Sequence, residues 1–167
     1  MKVPPELLAH VPQQGVVRWL GVRPAPQQPM LVVDAVEARR DGGLIGDYRS
    51  VKRNTSSRQV TLIQWEHLAV INALMGRTEQ NLLGPAELRR NLVISGINLF
   101  SLKDRRFRLG QAILQTTGWC QPCAKLERRL GPGLFQAMRG HGGITAQVLH
   151  SGVIRLGDSL CVEPLVS

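Results

Sequence analysis

The sequence predicts a mainly β, barrel-like domain carrying a few short helices. Short runs rich in Val, Ile, Leu and Thr recur along all 167 residues, and 17 glycines and 10 prolines punctuate them. Sustained helical periodicity is confined to one stretch, which argues against the alternating strands and helices of a doubly wound sheet. Aromatic residues make up only 4% of the chain, so aliphatic side chains must fill the core.

Taken in order, residues 15–21 (Gly-Val-Val-Arg-Trp-Leu-Gly) read as a strand. Three prolines among residues 23–29 enforce an extended loop, because proline lacks the donor that helix and central strand both need. Residues 30–34 read as a second strand, 41–43 as a turn and 59–63 as a further strand. The helix is predicted over 65–74, where Trp65, Leu68, Ala69, Ile71, Asn72 and Leu74 follow a 3.6-residue period and Gly76 closes it. Pro85 suits the start of a single helical turn over 85–88. Strands follow at 92–95, 107–109 and 112–117. Short helices after Pro122 and Pro132 end at Gly131 and Gly140, and the strands 144–149, 153–155 and 159–162 finish the pattern.

One domain with an ordinary core suits this length. No apolar run reaches the ~18–20 residues of a membrane span, so no membrane partner is expected. The opening residues lack the apolar stretch of a secretory signal, and three cysteines suit a reducing compartment, so the expectation is cytoplasmic. Charge is uneven. Residues 88–141 carry 10 Lys/Arg against 2 Asp/Glu, nearly all of the net +9. Such an excess points to an anionic partner: a phosphorylated cofactor, an anionic small-molecule substrate or nucleic acid. Nucleic acid is the weakest of these, because the basic run 103–108 holds a single aromatic ring and offers no stacking platform.

Within the basic region lies Trp119-Cys120-Gln121-Pro122-Cys123, followed by Lys125, Arg128 and Arg129. Three chemistries compete for it. The Cys-x-x-Cys spacing fits a dithiol redox pair, but a thioredoxin-like fold would place it early, and here a glycine-rich β segment follows it. A structural zinc site needs four ligands; His141, His150 and Cys161 follow but form no second tight pair. A single working thiolate remains. Pro122 at the first helical position would put Cys123 in the first turn, where unpaired N–H groups and the neighbouring cations favour a negative sulfur. Both cysteines also fit as small buried hydrophobes.

The segment Arg89-Arg90-Asn91-Leu92-Val93-Ile94-Ser95-Gly96-Ile97-Asn98-Leu99, then 107–110, the 118–127 stretch, Gly140-His141-Gly142-Gly143 and 154–158 together resemble, in order, the MOSC domain, the C-terminal domain of molybdenum cofactor sulfurase. The likeness covers roughly residues 45–163, with 1–44 forming strands and the Pro-rich loop of the same domain. The resemblance implies a barrel-like β fold and a functional cysteine at Cys123, with Cys120 its variable companion. In relatives that cysteine ligates the molybdenum of a pterin cofactor, or is proposed to carry sulfur. Arg89 and Asn91 match an Arg-x-Asn segment that contacts the cofactor. Arg89 suits a phosphate by its forked donors, and Asn91 offers both donor and acceptor.

The expected function is therefore molybdenum-cofactor binding or sulfur transfer, with possible reductase activity on N-hydroxylated compounds and an electron- or sulfur-donor protein as partner. Molybdenum-binding eukaryotic relatives carry a further N-terminal β domain, for which residues 1–44 are too few. A more exposed cofactor, or a pocket completed by a homodimer, is the corresponding expectation. The family's association with pyridoxal phosphate finds no supporting lysine here. The alternative function is a non-catalytic basic module that binds nucleic acid or a protein partner. Trp19, Trp65 and Trp119 are read as packing residues and His67 as a surface residue. His141 is read as a loop histidine within reach of a proton-donating role.

Overall fold

A computed structural model describes residues 2–50 and 56–165. The described elements are α1 (Pro5–Ala9), β1 (Gly15–Val22), β2 (Leu31–Val32), β3 (Ala35–Arg39), β4 (Gly43–Leu44), β5 (Val60–Gln64), α2 (Trp65–Leu74), β6 (Leu92–Ser95), β7 (Arg106–Leu109), β8 (Ala112–Trp119), α3 (Ala124–Leu130), α4 (Leu134–Met138), β9 (Ile144–His150), β10 (Gly152–Arg155) and β11 (Ser159–Val162). Single 3-10 turns cover Tyr48–Ser50 and Leu99–Leu102.

Seven strands close a barrel in the order β11-β7-β8-β9-β5-β6-β1, sealed by β1 pairing back onto β11. All neighbours are antiparallel except β5 and β6, which run parallel through α2. A small sheet of β10, β3 and β4 lies beside the barrel.

The strand pattern follows from alternation. Leu62, Leu92 and Ile94 point into the barrel with Leu20, Phe107, Leu114, Val148 and Leu160. Their neighbours Ile63 and Val93 point outward, into a second cluster with Ile71, Leu88, Leu126, Leu134 and Met138. Strands β5 and β6 are thus buried on both faces, which is why they read as continuous apolar runs. Each side chain buried there is worth about 1.5–3 kcal/mol.

The helix over 65–74 has the limits its periodicity predicts. The differences elsewhere have local causes. Residues 85–89 form a turn, not a helix, because Arg89 adopts φ 60 and reverses the chain after Arg90 N–H bonds the Pro85 carbonyl at 3.0 Å. Only Leu31 and Val32 of the 30–34 run pair. β4 is two residues long, too short for a distinct signal, while β3 alternates exposed Ala35, Glu37 and Arg39 with buried Val36 and Ala38 and holds a single residue of high strand propensity. His67 is not on the open surface: it is half-buried, its ring edge-on to His141 at 4.7 Å.

Candidate functional site

The site is built around the antiparallel pair β5–β9, where Thr61 faces Thr145, with the C-terminal end of β8 entering beside β9 and the start of β6 and the end of β1 lying on the β5 side. A register shift in β8 between Thr116 and Gly118 bends the strand as it leaves the sheet toward Cys120. Over this meeting of strands lies a cavity of about 760 Å³, a volume typical of small-ligand sites. Among the described residues its wall carries eight basic side chains, Arg23, Arg49, Arg58, Arg89, Arg90, Lys125, Arg128 and Arg129, and no carboxylate or imidazole. Cys120, Cys123, Thr61, Thr145, Tyr48, Gln27 and Gln121 supply the other polar groups.

Two of the three cysteines meet there. Cys123 is exposed in the wall and Cys120 is buried, while Cys161, on β11, takes no part in the lining. Cys123 does not sit in the first turn of α3. It is the residue that caps it, extended at φ -115 and ψ 162, and its carbonyl accepts from Leu126 N–H at 3.0 Å. The buried Pro122 and Cys120 hold the chain extended along the wall, so it turns only after Cys123. Glu127, in the first turn of α3, accepts from the N–H groups of Gly133 and Phe135 and ties α3 to α4.

Arg90 fastens the cysteine segment to the glycine-rich loop. Its Nε donates to the Gly142 carbonyl at 2.9 Å, Nη1 to Leu88 at 2.8 Å and Nη2 to Cys120 at 3.1 Å. The Cys120 N–H in turn donates to the Gly143 carbonyl at 2.9 Å. These loops touch so closely that a Cβ on Gly142 would stand 2.4 Å from the Cys120 carbonyl, and one on Gly143 1.9 Å from that of Leu62. Glycine is required at both places by contact.

Beneath the cavity floor, Asn91 is fully buried. Its Oδ1 accepts from Thr61 N–H at 3.2 Å, Thr61 hydroxyl at 3.0 Å and Arg23 Nη2 at 3.2 Å. Its Nδ2 donates to the Gly21 carbonyl at 3.0 Å and to Asp47 at 2.9 Å. The donor and acceptor expected to face a ligand are thus already bonded within the protein, and Asn91 does not line the cavity. Asp47 completes the hub through a 2.8 Å ion pair with Arg23. Burial alone would push the Asp47 carboxyl up, but Arg23 and the backbone donors of Arg23 and Arg49 outweigh it and hold it below its ordinary value.

Arg89 does line the cavity, and its Nη1 donates to the Gln28 carbonyl. Burial, then the facing charges of Arg23 and Arg129, lower its pKa below that of an ordinary arginine. That repulsion among cations is what a bound anion would relieve. The structure therefore brings Cys123 and Arg89 together and sets Asn91 under them. Arg23, Tyr48, Arg49 and Arg58 enter the wall without any local sequence signal, because the fold, not spacing, delivers them. His141 packs against His67 and is absent from the lining, as are Lys103, Arg105, Arg106 and Arg108. Trp119 leans on Phe100 with ring centres 4.4 Å apart, and Trp19 packs on the outer cluster. Among the described residues no group of three or more His, Cys, Asp or Glu could hold a metal by itself, which removes the structural zinc reading. No helix is long and apolar enough to cross a membrane.

The MOSC domain model matches residues 39–161. Among solved structures, the YuaD protein from Bacillus subtilis superposes with a TM-score of 0.77 at 20% identity, covering 94% of this chain and all of its own. YiiM from Escherichia coli gives 0.70 at 20% identity, covering 91% of this chain and 71% of its own. YiiM from Geobacillus stearothermophilus gives 0.64 at 21% identity, covering 91% and 75%. No curated protein matches.

Proposed function

The chain belongs to the MOSC domain family, and from that premise we propose that its cavity binds a phosphate-bearing molybdenum–pterin cofactor, with Cys123 as the protein's ligand to the metal. The observation that carries this reading is an exposed cysteine in the wall of a cavity that, among the described residues, is lined by eight cations and no carboxylate. The donor set fits. A metal that arrives with most of its ligands on an organic cofactor needs only one protein donor, whereas the described residues offer no set for a bare ion. Arg89 and the cations of α3 would hold the anionic part of the cofactor by charge-assisted hydrogen bonds. Arg90 and Asn91 would keep Cys123 and the wall in place from behind. When bound, molybdenum would supply two-electron chemistry of the kind used to reduce N-hydroxylated compounds. The convergence of cations into a concavity, and not over a flat face, favours a small anionic ligand over nucleic acid.

Protein purified from a host that makes the cofactor should contain molybdenum and, after oxidation, a fluorescent pterin, both lost in Cys123→Ala. A second reading, sulfur carriage on the same exposed sulfur, predicts cyanide-releasable sulfur that is also lost in Cys123→Ala. Protein with no molybdenum, no pterin and no releasable sulfur would sink both.

A further inference from the structure

Arg90 is the least expected residue of the site. Its guanidinium is only 5% exposed, yet no carboxylate pairs with it among the described residues. Buried charges are ordinarily paired, because an isolated one costs several kcal/mol. A guanidinium has five N–H groups. The carbonyls of Gly142, Leu88 and Cys120 take one from each nitrogen, which leaves one on each terminal nitrogen. Arg90 also lines the cavity beside Cys120 and Cys123. Burial, first, lowers its pKa. Of the groups facing it, the sulfurs of Cys120 and Cys123 favour its charge, while Arg23 and Arg58 oppose it. The neutral carbonyls fix the plane of the guanidinium but leave its charge unbalanced.

We infer that Arg90 is the inner anchor of an oxyanion subsite at Cys123, where its two remaining N–H groups hold a phosphate-like oxyanion or an anionic oxygen of a larger ligand against the cysteine sulfur. The inference rests on the cavity being an anion site, as proposed above, and not on molybdenum being bound. Backbone carbonyls of three separate segments orient the fork, so the subsite is rigid, unlike the long exposed side chains of Arg58, Lys125 and Arg128 at the rim.

The test compares alkylation of Cys123 by iodoacetate, an anion, and by neutral iodoacetamide on cofactor-free protein, with modification assigned by peptide mass spectrometry. Both reagents consume the same thiolate, so their rate ratio reports local charge selectivity and not its ionisation. Wild type should favour iodoacetate, and inorganic phosphate should slow iodoacetate alone. Glycerol phosphate tests whether the anion belongs to a larger ligand: competition by it supports an ester group, and competition by inorganic phosphate only supports a free oxyanion. Arg90→Gln should lower the ratio roughly tenfold, the order of effect one nearby unit charge commands. Arg90→Lys should keep most of the charge preference but weaken phosphate competition, since an ammonium lacks the fork. Arg155→Gln, remote from the cavity, should change nothing. If Arg90→Gln does not fold, Arg90→Lys and the competition on wild type still decide. An unchanged ratio in folded Arg90→Gln, undiminished phosphate competition in Arg90→Lys, or no competition by either phosphate on wild type would overturn the inference. Absence of molybdenum or pterin leaves this assay untouched, and its failure leaves the cofactor assay standing.

Discussion

Replacing Asn91 by alanine should destabilise the protein strongly with nothing bound. The side chain makes five hydrogen bonds: it accepts from the Thr61 N–H, the Thr61 hydroxyl and Arg23, and donates to the Gly21 carbonyl and Asp47. A hydrogen bond is worth about 1 kcal/mol net, and a buried partner left unsatisfied costs about 1–3 kcal/mol. The buried Thr61 N–H also loses its partner, and the Arg23–Asp47 pair loses its lateral support. Allowing for relaxation and shared partners, the loss should be about 3–5 kcal/mol, a large share of the ~5–15 kcal/mol that stabilises a domain. Urea unfolding of cofactor-free protein should show a lower midpoint with an unchanged slope, and the melting temperature should fall by roughly 10 °C. Asn91→Asp should also destabilise, because it sets a second carboxylate against Asp47. A loss below about 1 kcal/mol in Asn91→Ala would refute the hub and return Asn91 to direct ligand contact, which should cost binding and spare the free protein.

Cys123→Ala should behave in the opposite way: an exposed residue without a side-chain cap bond should cost under about 0.5 kcal/mol by the same unfolding assay while abolishing whatever the sulfur holds. Gly142→Ala drives a methyl into the Cys120 carbonyl, so circular dichroism should show a fold destabilised by more than about 2 kcal/mol, with Cys123 alkylation kinetics altered as the loop shifts. Burial, then the charge of His141, hold the His67 pKa below its ordinary value, although Glu66 opposes this. Its folded-state pKa is depressed, so the stability it confers is complete above the unfolded value of about 6.5 and is lost as pH falls from there toward the lower folded value. His67→Gln should flatten that acid-side slope, and an equal slope in both proteins would contradict the histidine pair.

How much of this was legible depended on how local the cause was. The barrel strands and α2 follow from alternation and period within a dozen residues, and the strands of 92–95 and 144–149 were plain for that reason. Cys123 and the cations after it were conspicuous because they lie side by side in sequence. The wall was not. Arg23 and Asp47 are 24 residues apart and Arg23 and Asn91 are 68 apart, so no window shows their bonds. The Arg89-Arg90-Asn91 run shows the limit most clearly. Three adjacent polar residues went to different places: Arg89 to the open part of the wall, Arg90 to its buried part, bonded to the loop of Gly142, and Asn91 beneath the floor. Their direction depends on the φ of 60 at Arg89, a backbone choice that side-chain type does not announce.

The seam that closes the barrel joins Gly15 and Val16 to Leu160 and Ser159, near opposite ends of the described chain. On a ribosome, β1 therefore waits with one flank unpaired until Leu160 has been made. During that interval the nascent strand presents a bare edge, and a chaperone or another strand can take it. Contacts of such long sequence separation also make folding slow relative to stability. The wall of the cavity is nearly as late, because Cys120, Cys123 and Thr145 stand in it. A product cut short before Thr145 would therefore have both a bare strand edge and an unfinished cavity wall.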